Sequence, residues 1–288
     1  MLKVLIWVVS NDYRFLNNAI NILDRQHNGL EVVGTIRGTD FTKIDMGKWY
    51  DILLVIGAKE IGMSKITQAA KQLRLPEEKL LGDWIVCIPG FTLDKYRRLQ
   101  CSSLSIISRQ CFGGCISKML GLPFRSPFVN SFIRYEDFMK FLRAPKNYIK
   151  MEPRFEKMTD TTEEVPESYP ILSLGDIALN MLHYKTAEEA IAKWNGRKTR
   201  INPYNLIIIT AFKDEEFLPE FDALPYGKKI CFVPFKSDLY SAWYIKPGVD
   251  SGAKNFIDSV NRFGWGYVFY YDLFDMLLYG KKTPLIEM

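Results

Sequence analysis

The chain has 288 residues, 48% of them hydrophobic and 25% charged, and carries a formal net charge of +5. That is enough apolar material for one large α/β unit or two smaller domains, and it excludes an intrinsically disordered chain. Lysines and arginines form no consecutive block, so no nucleic-acid footprint is expected, while small anionic ligands stay open.

In the first hundred residues, the β-rich run KVLIWVV (3–9) is followed by a helical stretch over 12–26 and a second strand, LEVVGTI (30–36). A third strand, DILLVIG (51–57), a helix over 64–75 and a fourth strand, WIVCI (84–88), continue the alternation. Near-continuous apolar strands separated by helices predict a parallel sheet covered on both faces, so residues 1–100 read as a Rossmann-like α/β domain. Its first turn, however, reads Val8, Val9, Ser10, Asn11, Asp12. It has no glycine, and Asp12 brings negative charge where a pyrophosphate would sit; this speaks against nicotinamide binding and leaves the cofactor unknown. Gly57 and Gly62 either flank a ligand or serve ordinary turns, and the domain either binds a ligand or is a docking platform.

Residues 101–288 read as a second α/β domain. The strand SLSIISR (103–109) runs into QCFGGCISKMLG, a helix that Gly121 ends. In a strand, glycine turn, helix pattern, Gly113 and Gly114 can aim backbone N–H groups at an anion, with Arg109 supplying a full charge. The other reading is a glycine turn that packs a helix against its sheet. Cys111, at the start of that helix, is either a thiol of lowered pKa or a packed one. With Cys115, and with His27 and His183 as the two histidines, it falls short of a four-ligand structural metal site, so no metal is expected.

Residues 152–170 are acidic, proline-bearing and aperiodic, which predicts an exposed connection. Residues 177–184 then alternate as a strand, with Ile177, Leu179, Met181 and His183 on its buried face. That places His183 at the carboxyl end of a strand, where open α/β sheets bind ligands, as a proton-transfer group or as a satisfied buried histidine. Asp176, seven residues away, would lie ~23 Å from it on a continuous strand, so the two form no dyad there. Thr186 and Glu189 make a capping box for a helix whose apolar stripe is Ala190, Ile191 and Trp194. Lys193, Arg197 and Arg200 form a basic row, either phosphate-binding or solvated.

The run LIIITAF (206–212), a helix over 215–224 and KICFVPF (229–235) predict a second βαβ-like unit. Residues 252–263 read as an amphipathic helix. The aromatic stretch GWGYVFYYDLFDMLLYG (264–280) is either a core element or a surface meeting lipid or a partner. No run approaches the ~18 apolar residues of a membrane-spanning helix. The amino terminus lacks the apolar length and cleavage site of a signal peptide. Five cysteines, an odd number in a long chain, argue for a reducing compartment, so the expected location is the cytoplasm.

The segments ISRQCFGG (107–114), LGLPFRSPF (120–128), LGD (174–176), HYKTAEEAIAKWNGRKTRIN (183–202) and FDALPYGKK (221–229) resemble a bacterial family. Its members are labelled exopolysaccharide biosynthesis proteins, a domain of unknown function found among capsule and lipopolysaccharide genes. The resemblance covers about residues 101–240 and carries Arg109, Gly113, Gly114, Asp176, His183, Tyr184, Trp194, Arg197 and Arg200 as pattern positions without assigned roles. Cys111 also fits, whereas Gln110 and Phe112 stand where the family more often has Asn and Trp.

Together these features lead to the expectation of a transferase in surface-polysaccharide biosynthesis that uses a phosphate-bearing donor such as a nucleotide sugar. His183 or Asp176 would be the base, Arg109, Gly113, Gly114 and Tyr184 would contact the ligand, and Arg197 or Arg200 would neutralise the leaving group. The alternative is a non-enzymatic interaction or regulatory protein of the same pathway.

Overall fold

A computed structural model of the chain describes residues 1–38, 49–161, 167–248, 255–262 and 269–287. The chain divides into two compact units, Met1–Cys101 with Ser117–Pro123, and Ser102–Ile116 with Phe124–Met288.

In the first unit, β1 (Leu2–Val8), β2 (Leu30–Arg37), β3 (Ile52–Ile56) and β4 (Leu80–Gly82) form an all-parallel sheet in the order β2-β1-β3-β4. Each residue of β3 is buried, as its unbroken apolar run requires of a strand covered on both faces. The helices of this unit are α1 (Leu16–His27), α2 (Ala58–Ile61), α3 (Met63–Gln72), α4 (Asp83–Val86) and α5 (Leu93–Cys101). The expected strand WIVCI is instead the helical turn α4, and the strand lies just before it, at Leu80–Gly82. A short apolar run buried on all sides carries no period, so it fits a buried helical turn as well as a strand. Gly57 (φ +79°) starts α2, and a Cβ there would lie 2.4 Å from the Ser10 hydroxyl oxygen; a tight backbone approach explains this glycine.

The second unit begins with β5 (Ser105–Ser108), followed by α6 (Phe112–Leu120), whose residues from Ser117 on are counted with the first unit and which ends at Gly121 (φ +68°) as its sequence predicts. Next come β6 (Phe132–Ile133), α7 (Tyr135–Arg143), α8 (Pro145–Lys150), β7 (Arg154–Met158), β8 (Pro170–Leu174) and β9 (Ile177–Asn180). The order continues with α9 (Ala187–Lys198), β10 (Leu206–Ala211), α10 (Leu218–Asp222), β11 (Lys229–Val233), β12 (Ala242–Tyr244), α11 (Phe256–Asn261) and α12 (Leu273–Tyr279). Strands β12-β11-β10-β5 form a second all-parallel sheet, and β6-β9-β8-β7 form an antiparallel one.

The chain is therefore a mixed α/β protein with parallel sheets, and the antiparallel sheet is the departure from expectation. Residues 154–158, expected in an exposed connection, are its edge strand β7, whose five side chains are all exposed; that is why they read as loop. Residues 162–166, 252–254 and 263–268 of the predicted segments lie outside the described residues.

The core of the second unit joins Ile107, Ile208 and Val233 of the parallel sheet to Leu172, Leu174 and Leu179 of the antiparallel one. Phe138 and Phe141 of α7 and Ala190 and Trp194 of α9 complete it. Thr186 caps α9 as expected, its Oγ1 accepting the Glu189 N–H at 3.2 Å. The aromatic C-terminal stretch is core where described: Tyr270, Tyr271, Leu273, Phe274, Met276 and Leu277 are all fully buried. The GKK of the FDALPYGKK segment is structural too. Lys228 Nζ donates to Leu278 O at 3.2 Å and to Asn205 Oδ1 at 2.8 Å, placing a cation on the carboxyl end of α12. Among the described residues no helix is long and apolar enough to cross a membrane.

Candidate functional site at the edge of the second parallel sheet

The carboxyl end of β5 delivers Ser108, Arg109, Gln110 and Cys111 directly to the start of α6. Arg109 is partly buried. Its Nε donates to the buried Thr210 Oγ1 at 3.2 Å, its Nη2 donates to Ala211 O at 3.0 Å, and the guanidinium lies 5.5 Å from the Phe132 ring centre. Burial lowers its pKa from the ordinary arginine value, yet an arginine stays charged. Among the described residues no carboxylate lies within ion-pair distance of it. The edge thus holds a positive charge oriented by neutral groups, with the Glu136 charge acting on it from beyond ion-pair distance.

Cys111 and His183, 72 residues apart, meet here with Sγ 3.8 Å from Nε2. His183 is exposed, which corrects the expectation that it shares the buried face of a strand. Strand β9 stops at Asn180, and turn hydrogen bonds from Leu182 N to Asn180 O and from Tyr184 N to Met181 O swing the chain away from the sheet. Nor does the Cys111 thiol have a lowered pKa. Burial pushes it up to about 11, with Cys115 adding in the same direction, and this outweighs a backbone hydrogen bond that lowers it. Peptide-resolved alkylation by iodoacetamide should therefore be slow at Cys111 near neutral pH, slower than at the exposed Cys101, and should accelerate towards pH 11. A titration midpoint well below the ~8.5 of a free thiol would contradict this assignment.

The two glycines are used for packing. The Gly113 N–H is taken by the Ser108 hydroxyl at 3.0 Å, and a Cβ on Gly113 would lie 2.8 Å from that oxygen and 2.9 Å from Ile106 Cγ2. A Cβ on Gly114 would meet Val129 Cγ1 at 3.1 Å. The absence of a side chain at both positions lets the helix approach β5 and Val129 closely, and the amide of Gly113, already bonded to Ser108, is not offered to an anion.

Tyr184 and Arg197 are brought together behind this edge. The Tyr184 hydroxyl donates to Val129 O at 3.0 Å, Arg197 Nη1 donates to that hydroxyl at 2.5 Å and to Val129 O at 3.2 Å, and the guanidinium lies 5.2 Å from the Phe124 ring centre. Arg197 is buried, whereas Lys193 and Arg200 are exposed, so the expected basic row is split. The phase was readable, since Arg197 follows Ala190 and Trp194 at helical spacing on the buried stripe.

Asp176 lies elsewhere. It forms, with Gly175 (φ +64°), the turn between β8 and β9, where Lys140 Nζ approaches it at 3.0 Å and the Tyr148 hydroxyl donates to it at 2.8 Å. The Lys140 bond, then that of Tyr148, holds its carboxyl below the usual range, which makes it a weaker base. It precedes β9 and His183 follows that strand's other end, so the structure does not join them.

Thr210, Ala211 and Phe132, which seat Arg109, were missed in the sequence. Thr210 left a signal as the one polar residue of LIIITAF. Among the described residues no group of three His, Cys, Asp or Glu side chains is arranged to hold a metal ion.

These features define the second unit as an α/β fold whose parallel sheet presents a cation and a thiol–imidazole pair at its carboxyl edge. The chain belongs to the family described as Domain of unknown function (DUF1919), whose model matches residues 86–279. It is also similar to an uncharacterized protein of Haemophilus influenzae, 32% identical over 185 residues that cover 62% of this chain and 84% of that relative.

Proposed function

We propose that this protein is a cytoplasmic transferase of bacterial surface-polysaccharide assembly, in which Arg109 receives the phosphate of a donor such as a nucleotide sugar. The observation that carries the reading is the partly buried guanidinium of Arg109, held by Thr210 and Ala211 and without an ion pair among the described residues, at the carboxyl edge of a parallel sheet, where α/β proteins take their ligands. The polysaccharide assignment draws on the family resemblance of the sequence, and the first unit is read with it as a Rossmann-like domain.

In this reading the His183 imidazole takes the proton of an acceptor hydroxyl as its oxygen bonds to the donor's sugar carbon. The bond from that carbon to the phosphate oxygen breaks, and the phosphate leaves carrying the charge that Arg109 offsets. Cys111 is a neutral thiol that orients the imidazole, and Tyr184 and Arg197 hold the wall behind it. Thermal unfolding against nucleotide sugars should show a rise in melting temperature that Arg109→Ala abolishes, because a ligand bound only to the folded state stabilises it by mass action. His183→Gln should keep the rise and lose turnover. An undiminished rise in Arg109→Ala would sink the assignment.

A second reading, a non-enzymatic docking or regulatory protein of the same pathway, is favoured by one observation. Three cavities of about 470, 520 and 540 Å³ are lined by neither Arg109 nor His183.

A further inference from the structure

The second parallel sheet ends in more than Arg109. Past the carboxyl ends of β11 and β12, a cavity of about 470 Å³ is lined by Lys236, Ser237, Asp238, Tyr244, Tyr271 and Lys282. Lys236 follows β11 by three residues, and its Nζ lies 5.9 Å from the Tyr244 ring centre. Lys282 reaches the cavity from the segment after α12. Its Nζ donates to Ala242 O at 2.7 Å, which leaves two of the ammonium's three protons for another acceptor.

That segment is fixed. Asp272 N donates to Thr283 O at 2.9 Å, Leu285 N donates to Tyr270 O at 3.0 Å, and Tyr271 pairs with Pro284 in an antiparallel bridge. The buried Tyr271 forms a wall, its hydroxyl already spent on Tyr244 O at 2.5 Å. Among the described residues neither lysine has a carboxylate within ion-pair distance, although Asp238 lines the same cavity. Desolvation lowers the pKa of Lys282, so its charge is held at a cost that a bound anion would relieve.

We infer that this cavity is a second anion subsite, which takes a phosphate group of an elongated ligand bearing more than one anionic group along the sheet's carboxyl edge. The inference rests on the reading of Arg109 given above and narrows it. In the order β12-β11-β10-β5, the strand before Lys236 stands two spacings from the strand before Arg109, roughly 10 Å. A single orthophosphate cannot touch both. A donor with anionic groups set well apart can, and the partly exposed Tyr244 ring offers a face for a sugar or base between them.

The test is equilibrium dialysis of the full chain with inorganic pyrophosphate, small enough to fill each subsite separately. The wild-type protein should bind two equivalents. Lys236→Met with Lys282→Met should weaken one of them about tenfold or more and leave the other. Lys236→Met alone, which removes no side-chain hydrogen bond among the described residues, should weaken the same one. Arg109→Ala should remove the other. If the lysine variants bind as the wild type does while Arg109→Ala loses a site, the second subsite is refuted and the Arg109 reading survives. If the lysine variants lose a site and Arg109→Ala loses none, the subsite stands and the Arg109 reading fails. No binding of pyrophosphate at millimolar concentration refutes the subsite.

Discussion

Trp194→Ala is expected to cost the second unit about 3–5 kcal/mol of stability, the range for removing a fully buried tryptophan. The upper part of that range is favoured because the cavity cannot easily close. The Phe128 ring stands edge-on to Trp194 at 5.3 Å and to Phe141 at 4.7 Å, with Phe138 at 6.1 Å, so the cage is braced by its own contacts. Trp194→Phe should cost much less. The indole Nε1 has no hydrogen-bond partner among the described residues, so its loss leaves no acceptor stranded, and most of the ring volume is kept. Urea unfolding followed by far-ultraviolet circular dichroism measures both. A loss below about 1 kcal/mol for Trp194→Ala would mean that the cage relaxes and that α9 is not anchored by this residue.

The legibility of this chain follows from how local each signal is. Helix α9 was readable because its cap, Thr186, and its stripe, Ala190 and Trp194, lie within one element. Strands β1, β3 and β10 were readable because burial on both faces leaves an apolar run that no loop imitates. In the antiparallel sheet β9 was expected as a strand from Ile177, whereas the outer strands were hidden for the opposite reason. Its strand β6 has two residues, β7 shows solvent five polar or exposed side chains, and what makes either a strand is its partner, not its own pattern. The site divides along the same line. That Arg109 ends a strand before a glycine turn was visible, whereas its seat on Thr210 and Ala211, a hundred residues away, was not. The Cys111–His183 contact left no trace, because the spacing of two residues in sequence says nothing about a meeting made by a turn at the end of β9. Both glycines of the expected anion cradle were correctly placed at the start of a helix, but close packing and a phosphate nest ask for the same residue.

Asp83 should make the first unit lose stability as pH rises from about 4 to about 6.5. It is fully buried at the carboxyl edge of the first parallel sheet, and burial raises its pKa from 3.8 to about 6, against the amides of Gly57, Trp84 and Ala58 that lower it. Between those two values the folded carboxyl keeps a proton that the unfolded chain has released. The folded state therefore binds more protons, and unfolding becomes easier with increasing pH. The contribution is complete below 3.8 and lost as pH passes through about 6, a swing of about 3 kcal/mol at 1.36 kcal/mol per unit. Asp83→Asn should flatten this slope, since the amide does not titrate, while turning one acceptor into a donor that faces a backbone N–H. Thermal unfolding of both proteins from pH 4 to pH 7 isolates the effect from other groups, and parallel curves would show that Asp83 is ionised throughout. The same carboxylate accepts the Gly57 amide at the start of α2, after β3, so an anion could use that amide only by displacing it.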